Sequence, residues 1–479
     1  MSHEVARRVV LPFCLLAVLG LSSAGPMQAA PLAQGGVDLA CSWEKLVPQM
    51  PLGLYYSATT YDAIGRKAYS YGGVNQAGQA VDNVSILDLS NADLTKARFS
   101  NAATVGSRSL SYGAAAAFRP AGDKSAAYFI GGADPNGDGK NQVQVYTLKT
   151  NTWRSTVPSG SVDRIFSAAV YVPGHDVIVV QGGTKRCPLD GGTPAQGDCQ
   201  GENLGTSFLK IDDATGELRF LPGPKGGPQN LMGSTLVYEP LAKKVLAYGG
   251  SPDNNLAETR VFSLDLADPD LSKASWMALT VEGARPQGRY LHAAAYDTTR
   301  RMMVLQGGIR VGGMTDSEKV QTDTWALDLS TVTPRWVNLT ATLRDLVGGA
   351  MVYPAQHGKP VQLGGRAQYK SRTAPVQTAN RDVNALACRT APTPTPEPTR
   401  VPVNVGAPKV CDGLRGKVPS AIINNAITNP MDISGFGEPA NPALPPGPLN
   451  PPKTYLGLQN TGVPFHPLFN SVIFKPACP

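Results

Sequence analysis

The stretch RYLHAAAYDTTRRMMVLQGG, residues 289–308, contains two short segments of different character joined by a turn. The first segment is rich in alanine and ends in Tyr296, and the second is an unbroken apolar run before a double glycine. Short apolar runs flanked by turn residues are typical of buried β-strands. Paired glycines allow a sharp turn where a side chain would collide with nearby backbone. The stretch therefore predicts two consecutive strands joined by a tight turn.

The same pattern occurs six times, which makes it an internal repeat. The double glycines lie at Gly72-Gly73, Gly131-Gly132, Gly182-Gly183, Gly249-Gly250, Gly307-Gly308 and Gly364-Gly365. The upstream segment of each copy ends in an aromatic residue: Tyr61, Phe118, Tyr171, Tyr238, Tyr296 and Tyr353. Several of these segments consist largely of small residues. Such residues suit the innermost strand of a ring of sheets, where neighbouring sheets crowd the axis.

Two further strands follow the double glycine in the first five copies. The last of them carries an aromatic residue: Phe99, Trp153, Phe220, Trp276 and Trp336. Four such strands make one blade of a β-propeller. The sixth copy lacks a fourth strand, because proline-rich sequence follows Cys388 and prolines cannot donate ladder hydrogen bonds. The segment 41–46, which contains Trp43, resembles the missing strand. We therefore predict an all-β fold in which residues 31–390 form a six-bladed propeller closed by its N-terminal strand.

Closure of the ring would place Cys41 beside Cys388 on adjacent strands, so we predict a disulfide between them. Six cysteines remain after the first 30 residues, and an even number in an exported chain favours disulfides. The two other expected pairs are Cys187–Cys199 and Cys411–Cys478. Six cysteines allow 15 connectivities, so different pairings stay open.

Residues 1–30 have the pattern of a secretory signal peptide. Arg7 and Arg8 precede an apolar stretch, Val9 to Leu21, which is followed by small residues. The apolar stretch is shorter than the ~20 residues that span a bilayer, although an N-terminal anchor is the alternative interpretation. We expect a protein secreted to the extracellular space or cell surface, or to the periplasm, with no transmembrane segment in the mature chain. The net charge of +7 is spread without a Lys/Arg run, so no nucleic-acid partner is expected.

The C-terminal part of the chain is rich in proline. Residues 391–408 alternate proline with small residues and are predicted to form a semi-rigid linker. Residues 409–479 are predicted to be a small proline-rich module, which has too few apolar residues to fold without the Cys411–Cys478 bridge. Such a module would attach the protein to a surface or a partner. A disordered tail is the alternative.

The repeats resemble the kelch repeats of galactose-oxidase-like propellers. The resemblance covers about residues 41–390 and rests on the double glycines, the aromatic ends of the inner strands, the outer tryptophans and the stretch that begins at Arg289. Galactose oxidases hold copper through tyrosines and two histidines. Here only His292 is placed to face the central channel, so no copper site is expected. The resemblance is specific for the fold but not for a function.

The architecture also resembles the exported kelch propellers that act as N-acetylneuraminate epimerases. Acid-sugar isomerisation needs a base and an arginine clamp for the carboxylate. The candidate binding residues near the predicted channel mouth are Arg108, Arg164, Arg289, Arg344 and His292, with Asp163 and Asp345 as candidate acids. The alternative is that the arginines tie neighbouring blades together through backbone carbonyls and that His292 is an ordinary inner-strand residue.

One segment resembles the first half of a calcium-binding loop. Its oxygen ligands would be Asp134, Asn136 and Asp138, but the later ligand positions are occupied by Gln142 and Val145. A hairpin turn explains the segment equally well. We expect no cofactor, with calcium as the only exception.

Long, variable loops follow the double glycines, and such loops on a rigid frame usually carry binding. Their basic residues are Lys185, Arg186, Arg310, Lys370 and Arg372. The preferred hypothesis is a secreted, non-enzymatic binding or scaffold protein that presents a protein or glycan site on this loop face. The alternatives are an acid-sugar isomerase and a structural component of a cell-surface layer.

Overall fold

The computed structural model describes residues 39–101, 106–190, 193–194, 199, 204–229, 231–252, 257–310, 320–343, 346–367 and 378–390. All belong to the first of the two units into which the chain divides, Met1–Ala391. The predicted signal peptide, linker, C-terminal module and Cys411–Cys478 bridge lie outside the described residues. So do Arg344, Asp345, Lys370 and Arg372.

Six four-stranded antiparallel sheets form a β-propeller, as predicted from the repeats. The strands of blades 1 and 2, from the axis outward, are Ala58–Asp62, Lys67–Tyr71, Val84–Asp88 and Arg98–Asn101, then Ala115–Arg119, Ala126–Ile130, Val143–Thr147 and Thr152–Thr156. Those of blades 3 and 4 are Ala168–Val172, Val177–Gln181, Thr206–Ile211 and Leu218–Pro222, then Thr235–Glu239, Lys244–Tyr248, Val261–Asp265 and Ser275–Ala278. Those of blades 5 and 6 are Ala293–Asp297, Met302–Gln306, Asp323–Asp328 and Arg335–Thr342, then Ala350–Val352, Val361–Leu363, Val383–Thr390 and Leu39–Lys45.

A few short elements lie between these strands. Two-residue strand pairs join Leu189–Asp190 to Thr193–Pro194, Arg289–Tyr290 to Ile309–Arg310, and Arg366–Ala367 to Thr378–Ala379. The 3-10 helices are single turns at Leu94–Lys96, Gly122–Lys124, Leu271–Lys273 and Ala355–His357. No helix in the described part of the chain has the length and hydropathy needed to cross a membrane.

The N-terminal strand closes the ring, which confirms the prediction from the missing fourth strand of the sixth copy. Leu39–Lys45 pairs antiparallel with Val383–Thr390, and Cys41 lies directly opposite Cys388. The two cysteines form the expected disulfide. The indole of Trp43 donates a 2.9 Å hydrogen bond to Thr324 Oγ1 in blade 5. Closure removes the two sheet edges that an open array would expose.

The double glycines join each blade to the next. A Cβ atom on the first glycine of each pair would collide with a backbone carbonyl of the following blade, as Gly182 would with Leu231. The N–H of the second glycine donates to the same carbonyl, with Gly183 N to Leu231 O at 2.8 Å. The six acceptor carbonyls belong to Leu54, Ser111, Arg164, Leu231, Arg289 and Leu346. The glycines are therefore required by contact between blades as well as by the turn within a blade.

The two faces of the propeller differ in that only one of them carries the double glycines. We call the end that carries them, with the loops from second to third strands and from each blade to the next, the loop face. The opposite end, the turn face, carries the short connections from first to second and from third to fourth strands.

Candidate functional site

The axis is closed at the loop face by a ring of six backbone hydrogen bonds. One residue of each blade, just before its innermost strand, donates its N–H to the carbonyl of the equivalent residue in the preceding blade. The donor–acceptor distances are 2.7–2.9 Å. The six residues, from blade 1 to blade 6, are Tyr56, Gly113, Phe166, Gly233, Leu291 and Gly348. Because Tyr56 N donates to Gly348 O, the ring has no free end.

Large residues and glycines alternate around this ring. Tyr56, Phe166 and Leu291 come from blades 1, 3 and 5 and are all at least 94% buried. The rings of Tyr56 and Phe166 meet edge to face, with centroids 5.0 Å apart. A Cβ on Gly113 would collide with Phe166, and one on Gly348 would collide with Tyr56. Three large side chains therefore fill the centre, and three glycines provide the space for them.

A disulfide packs against the side chains of this ring. Cys187 and Cys199 form a disulfide and are completely buried in the same apolar cluster as Tyr56 and Tyr112. The Tyr112 hydroxyl donates a 2.9 Å hydrogen bond to Cys187 O. Burial and nearby carboxylates raise the pKa of Tyr112, so the hydroxyl stays a donor at physiological pH. The start of the loop after Gly183 is thereby attached to residues next to the ring.

The segment that resembles a calcium loop supports this disulfide loop. Cys187 N donates to Gly137 O at 2.8 Å, and Gly139 N donates to Lys185 O at 2.7 Å. A Cβ on Gly137 would collide with Pro188. The glycines in this segment therefore allow one loop to pack closely on the other.

The three candidate calcium ligands lie together in a tight turn. Asp134 Oδ1 accepts the backbone N–H groups of Asn136 and Asp138 at 2.8 and 3.1 Å. Asp138 forms an ion pair with Arg186 at 2.9 Å. Within the described ranges, no group of three or more His, Cys, Asp or Glu side chains is arranged to hold a metal ion. Calcium binding by this segment stays a prediction.

Arg289 is completely buried and lies just before the innermost strand of blade 5. Its Nη1 and Nη2 atoms donate to the two carboxylate oxygens of Asp323 at 2.7 and 3.0 Å, and Nη1 also donates to Gly307 O. Burial opposes ionisation of Asp323, but the hydrogen bonds and charge of Arg289 lower its pKa overall. The guanidinium thus joins the second and third strands of its own blade.

Arg164 has the equivalent position in blade 3, where none of its partners among the described residues is a carboxylate. Its guanidinium approaches Gly182 O at 3.5 Å and Ser207 Oγ at 3.3 Å, and it lies 5.9 Å from the centre of the Phe220 ring. Burial lowers its pKa to about 10. In both arginines the backbone carbonyl makes the link between blades, whereas the side chain makes contacts within one blade.

His292 lies between blades 4 and 5 and is 4% exposed. Its Nε2 atom is 2.8 Å from Thr235 Oγ1, and its ring meets Tyr248 edge to face. Burial, with a smaller contribution from Arg289, lowers the pKa of His292 to about 3. The imidazole is therefore neutral at physiological pH.

The remaining candidate residues lie on the loop face. The Nε atom of Arg108 is 3.7 Å from Asp82 Oδ2, and its guanidinium lies over the Trp153 ring. Arg108 precedes blade 2, whereas Arg164 and Arg289 belong to blades 3 and 5. Lys185 and Arg186 are exposed on the disulfide loop, and Arg310 is half-buried. The structure thus brings Arg289 and His292 into one neighbourhood, while Arg108 and Arg164 belong to other blades.

The alternating ring is the part of the site that sequence reasoning missed. Its signal was present: Gly113, Gly233 and Gly348 stand at the same repeat position as Tyr56, Phe166 and Leu291. The alternation is visible only when the six copies are aligned at the inner strand instead of at the double glycine.

Comparison with known proteins supports the fold. No family model matches the chain, and no curated protein matches it in sequence. Among solved structures, that of YjhT is similar, with a TM-score of 0.53 and 15% sequence identity over 72% of this chain and 99% of YjhT. At this identity the similarity shows a shared propeller fold alone.

Proposed function

We propose that the protein is an exported, kelch-type propeller that binds a protein or glycan partner on its loop face and catalyses no reaction. The observation that carries the proposal is the sealed axis. A ligand approaching the axis from the loop face meets an apolar cluster that includes the buried Cys187–Cys199 pair and the side chains of Tyr56, Phe166 and Leu291. Recognition would therefore use the loops and the rim of this face.

The attachment of one loop-face segment to its neighbour also supports a binding role. Cys187 and Cys199 are joined by a disulfide, and backbone hydrogen bonds join Lys185 and Cys187 to the loop after Gly132. A preorganised surface loses little conformational entropy when a partner binds. The exposed residues that it presents include Leu110, Val162 and Lys185.

Export is supported by the two disulfides, since such bonds persist in oxidising compartments. It agrees with the signal pattern of residues 1–30. The kelch assignment rests on the double glycines and on the aromatic residues of the inner and outer strands. The C-terminal module would serve as the tether.

Acid-sugar isomerisation and a role in a surface layer stay alternative predictions. The isomerase hypothesis needs a free arginine clamp and a base. The side chains of Arg164 and Arg289 have partners inside their own blades, and His292 is buried. No observation therefore favours this hypothesis over a binding role.

The proposal is tested by comparing two exposed leucines on opposite faces. Leu110 is 45% exposed on the loop face and Leu241 is 72% exposed in a hairpin of the turn face. The full-length protein, Leu110→Asp and Leu241→Asp would be screened on a glycan array and against candidate extracellular proteins. We expect saturable binding that Leu110→Asp weakens at least tenfold and Leu241→Asp leaves unchanged. Equal loss in both variants, or turnover of an acid sugar, would contradict the proposal.

A further inference from the structure

A cavity of about 630 Å³ opens on the turn face, between blades 5 and 6. Two arginines line it: Arg300, in the first hairpin of blade 5, and Arg389, near the end of the third strand of blade 6. The cavity lies at the opposite end of the propeller from the loop face, so it is independent of the function proposed above.

Arg300 is held in place by three hydrogen bonds, which involve only some of its N–H groups. Its Nη1 atom donates to Asp297 Oδ2 at 2.8 Å and to Gly358 O at 3.0 Å, and its Nη2 atom donates to Cys388 O at 3.4 Å. A guanidinium has five N–H donors. The Nε–H and one Nη2–H of Arg300 therefore have no partner among the residues that the structure describes.

Arg389 contributes a second positive charge. Its side chain is exposed, and it has no hydrogen-bond or ion-pair partner among the residues that the structure describes. Two carboxylates lie nearby, but neither lines the cavity. Asp297 is 2% exposed and bonded to Arg300, and the fully buried Asp328 accepts the N–H and hydroxyl of Ser330. The charges that line the cavity are therefore both positive.

The other walls combine hydroxyl groups with apolar surface. Thr299 Oγ1 accepts a 2.7 Å hydrogen bond from Tyr353, which leaves its own hydroxyl hydrogen available. The Ser330 hydroxyl donates to Asp328 and keeps its lone pairs as acceptors. Leu39 and Met302 supply the apolar part of the lining. The cavity thus offers several donors, few acceptors and an apolar wall.

We propose that this cavity binds a small carboxylate-bearing ligand. The two remaining N–H groups of Arg300 can donate to the oxygens of a carboxylate, a group with which guanidinium forms strong hydrogen bonds. Arg389 supplies a second contact to the same negative charge. The volume lies within the usual range for small-molecule sites, and the apolar wall and hydroxyl groups suit a body the size of a sugar ring.

The test uses two probes that differ mainly in a carboxylate. Glucuronate and glucose would be titrated calorimetrically into the full-length protein, into Arg389→Gln and into Arg66→Gln. Arg66 is an exposed arginine of blade 1 and serves as the matched control. Arg300 is left unchanged because its loss would break contacts between blades 5 and 6.

We expect glucuronate to bind saturably, glucose not to bind, and Arg389→Gln to weaken glucuronate binding at least tenfold while Arg66→Gln does not. Glucuronate should also protect Arg389 from modification by phenylglyoxal. Equal binding of glucose, unchanged affinity in Arg389→Gln, or no binding of glucuronate would overturn the proposal. Inorganic sulfate that binds as tightly as glucuronate would overturn the assignment to a carboxylate.

Discussion

The two faces of the propeller join the same blades by different means. At the loop face, two rings of six backbone hydrogen bonds connect neighbouring blades. At the turn face, charged side chains make several of the connections: Arg119 of blade 2 binds Asp176 and Asp213 of blade 3, and Arg301 of blade 5 binds Glu239 of blade 4. Backbone bonds depend little on side-chain identity. The loop face can therefore vary its loops while the blades stay joined.

The closing disulfide should matter more for stability than the disulfide of the loop face. In the loop-entropy model, a bridge across the 347-residue separation of Cys41 and Cys388 contributes about 6 kcal/mol, against about 3 kcal/mol for the 12-residue separation of Cys187 and Cys199. Urea unfolding of the two double Cys→Ser variants would measure both values. A larger loss from the Cys187/Cys199 pair would show that the loop cap, and not closure of the ring, limits stability.

Because side chains fill the centre of the ring, we expect one added methyl group there to lower the free energy of unfolding. Gly348 and Gly358 have similar positive φ angles, +64° and +59°, but a Cβ meets Tyr56 at Gly348 and open space at Gly358. Backbone strain is thus nearly equal in the two alanine variants, and overpacking adds about 1–3 kcal/mol only in Gly348→Ala. Thermal or urea unfolding measures the difference. Equal destabilisation of the two variants would mean that the centre of the ring accommodates an added methyl group without overpacking.

The Arg119 clamp should make the turn face sensitive to acid. Hydrogen bonds from Arg119 lower the pKa values of Asp176 and Asp213 in the folded state. Their stabilisation is therefore complete above the unfolded pKa of about 3.9 and is lost as the pH falls through the lower folded values. Because both carboxylates are half-exposed, we expect Arg119→Met to cost only about 1 kcal/mol at pH 7.

Urea unfolding at pH 7 and pH 3 measures this dependence. The stability difference between Arg119→Met and the unmodified protein should shrink at pH 3. A difference that stays constant would assign the role of Arg119 to packing instead of charge.

The smallest predicted effect concerns His292. Its folded pKa of about 3 lies below the unfolded value of about 6.5, so its contribution is present above pH 6.5 and is lost as the pH falls. By linkage, the free energy of unfolding should fall by about 0.7 kcal/mol between pH 7 and pH 6. His292→Gln should lack this part of the pH dependence. An unchanged slope would mean that the imidazole already accepts a proton in the folded protein.

The architecture could be predicted from sequence because its signals repeat. The number of double glycines predicted the number of blades. The missing fourth strand of the sixth copy predicted the pairing of Leu39–Lys45 with the last blade and the Cys41–Cys388 bridge. The site was harder to predict because its contacts join residues that are far apart in the sequence, within one blade or between two. The sequence around Arg289 does not indicate that its guanidinium binds Asp323. The sequence around Gly137 likewise does not indicate that Pro188 packs against it.

Native-state hydrogen exchange tests the sealed axis most directly. The six ring amides, at Tyr56, Gly113, Phe166, Gly233, Leu291 and Gly348, should exchange only through global unfolding and form the slowest class in the molecule. The turn amide of Gly358, which donates to Ala355 O, is the internal reference and should exchange far faster. Ring amides that exchange as fast as Gly358 would contradict a closed axis and would reopen the central channel as a binding site.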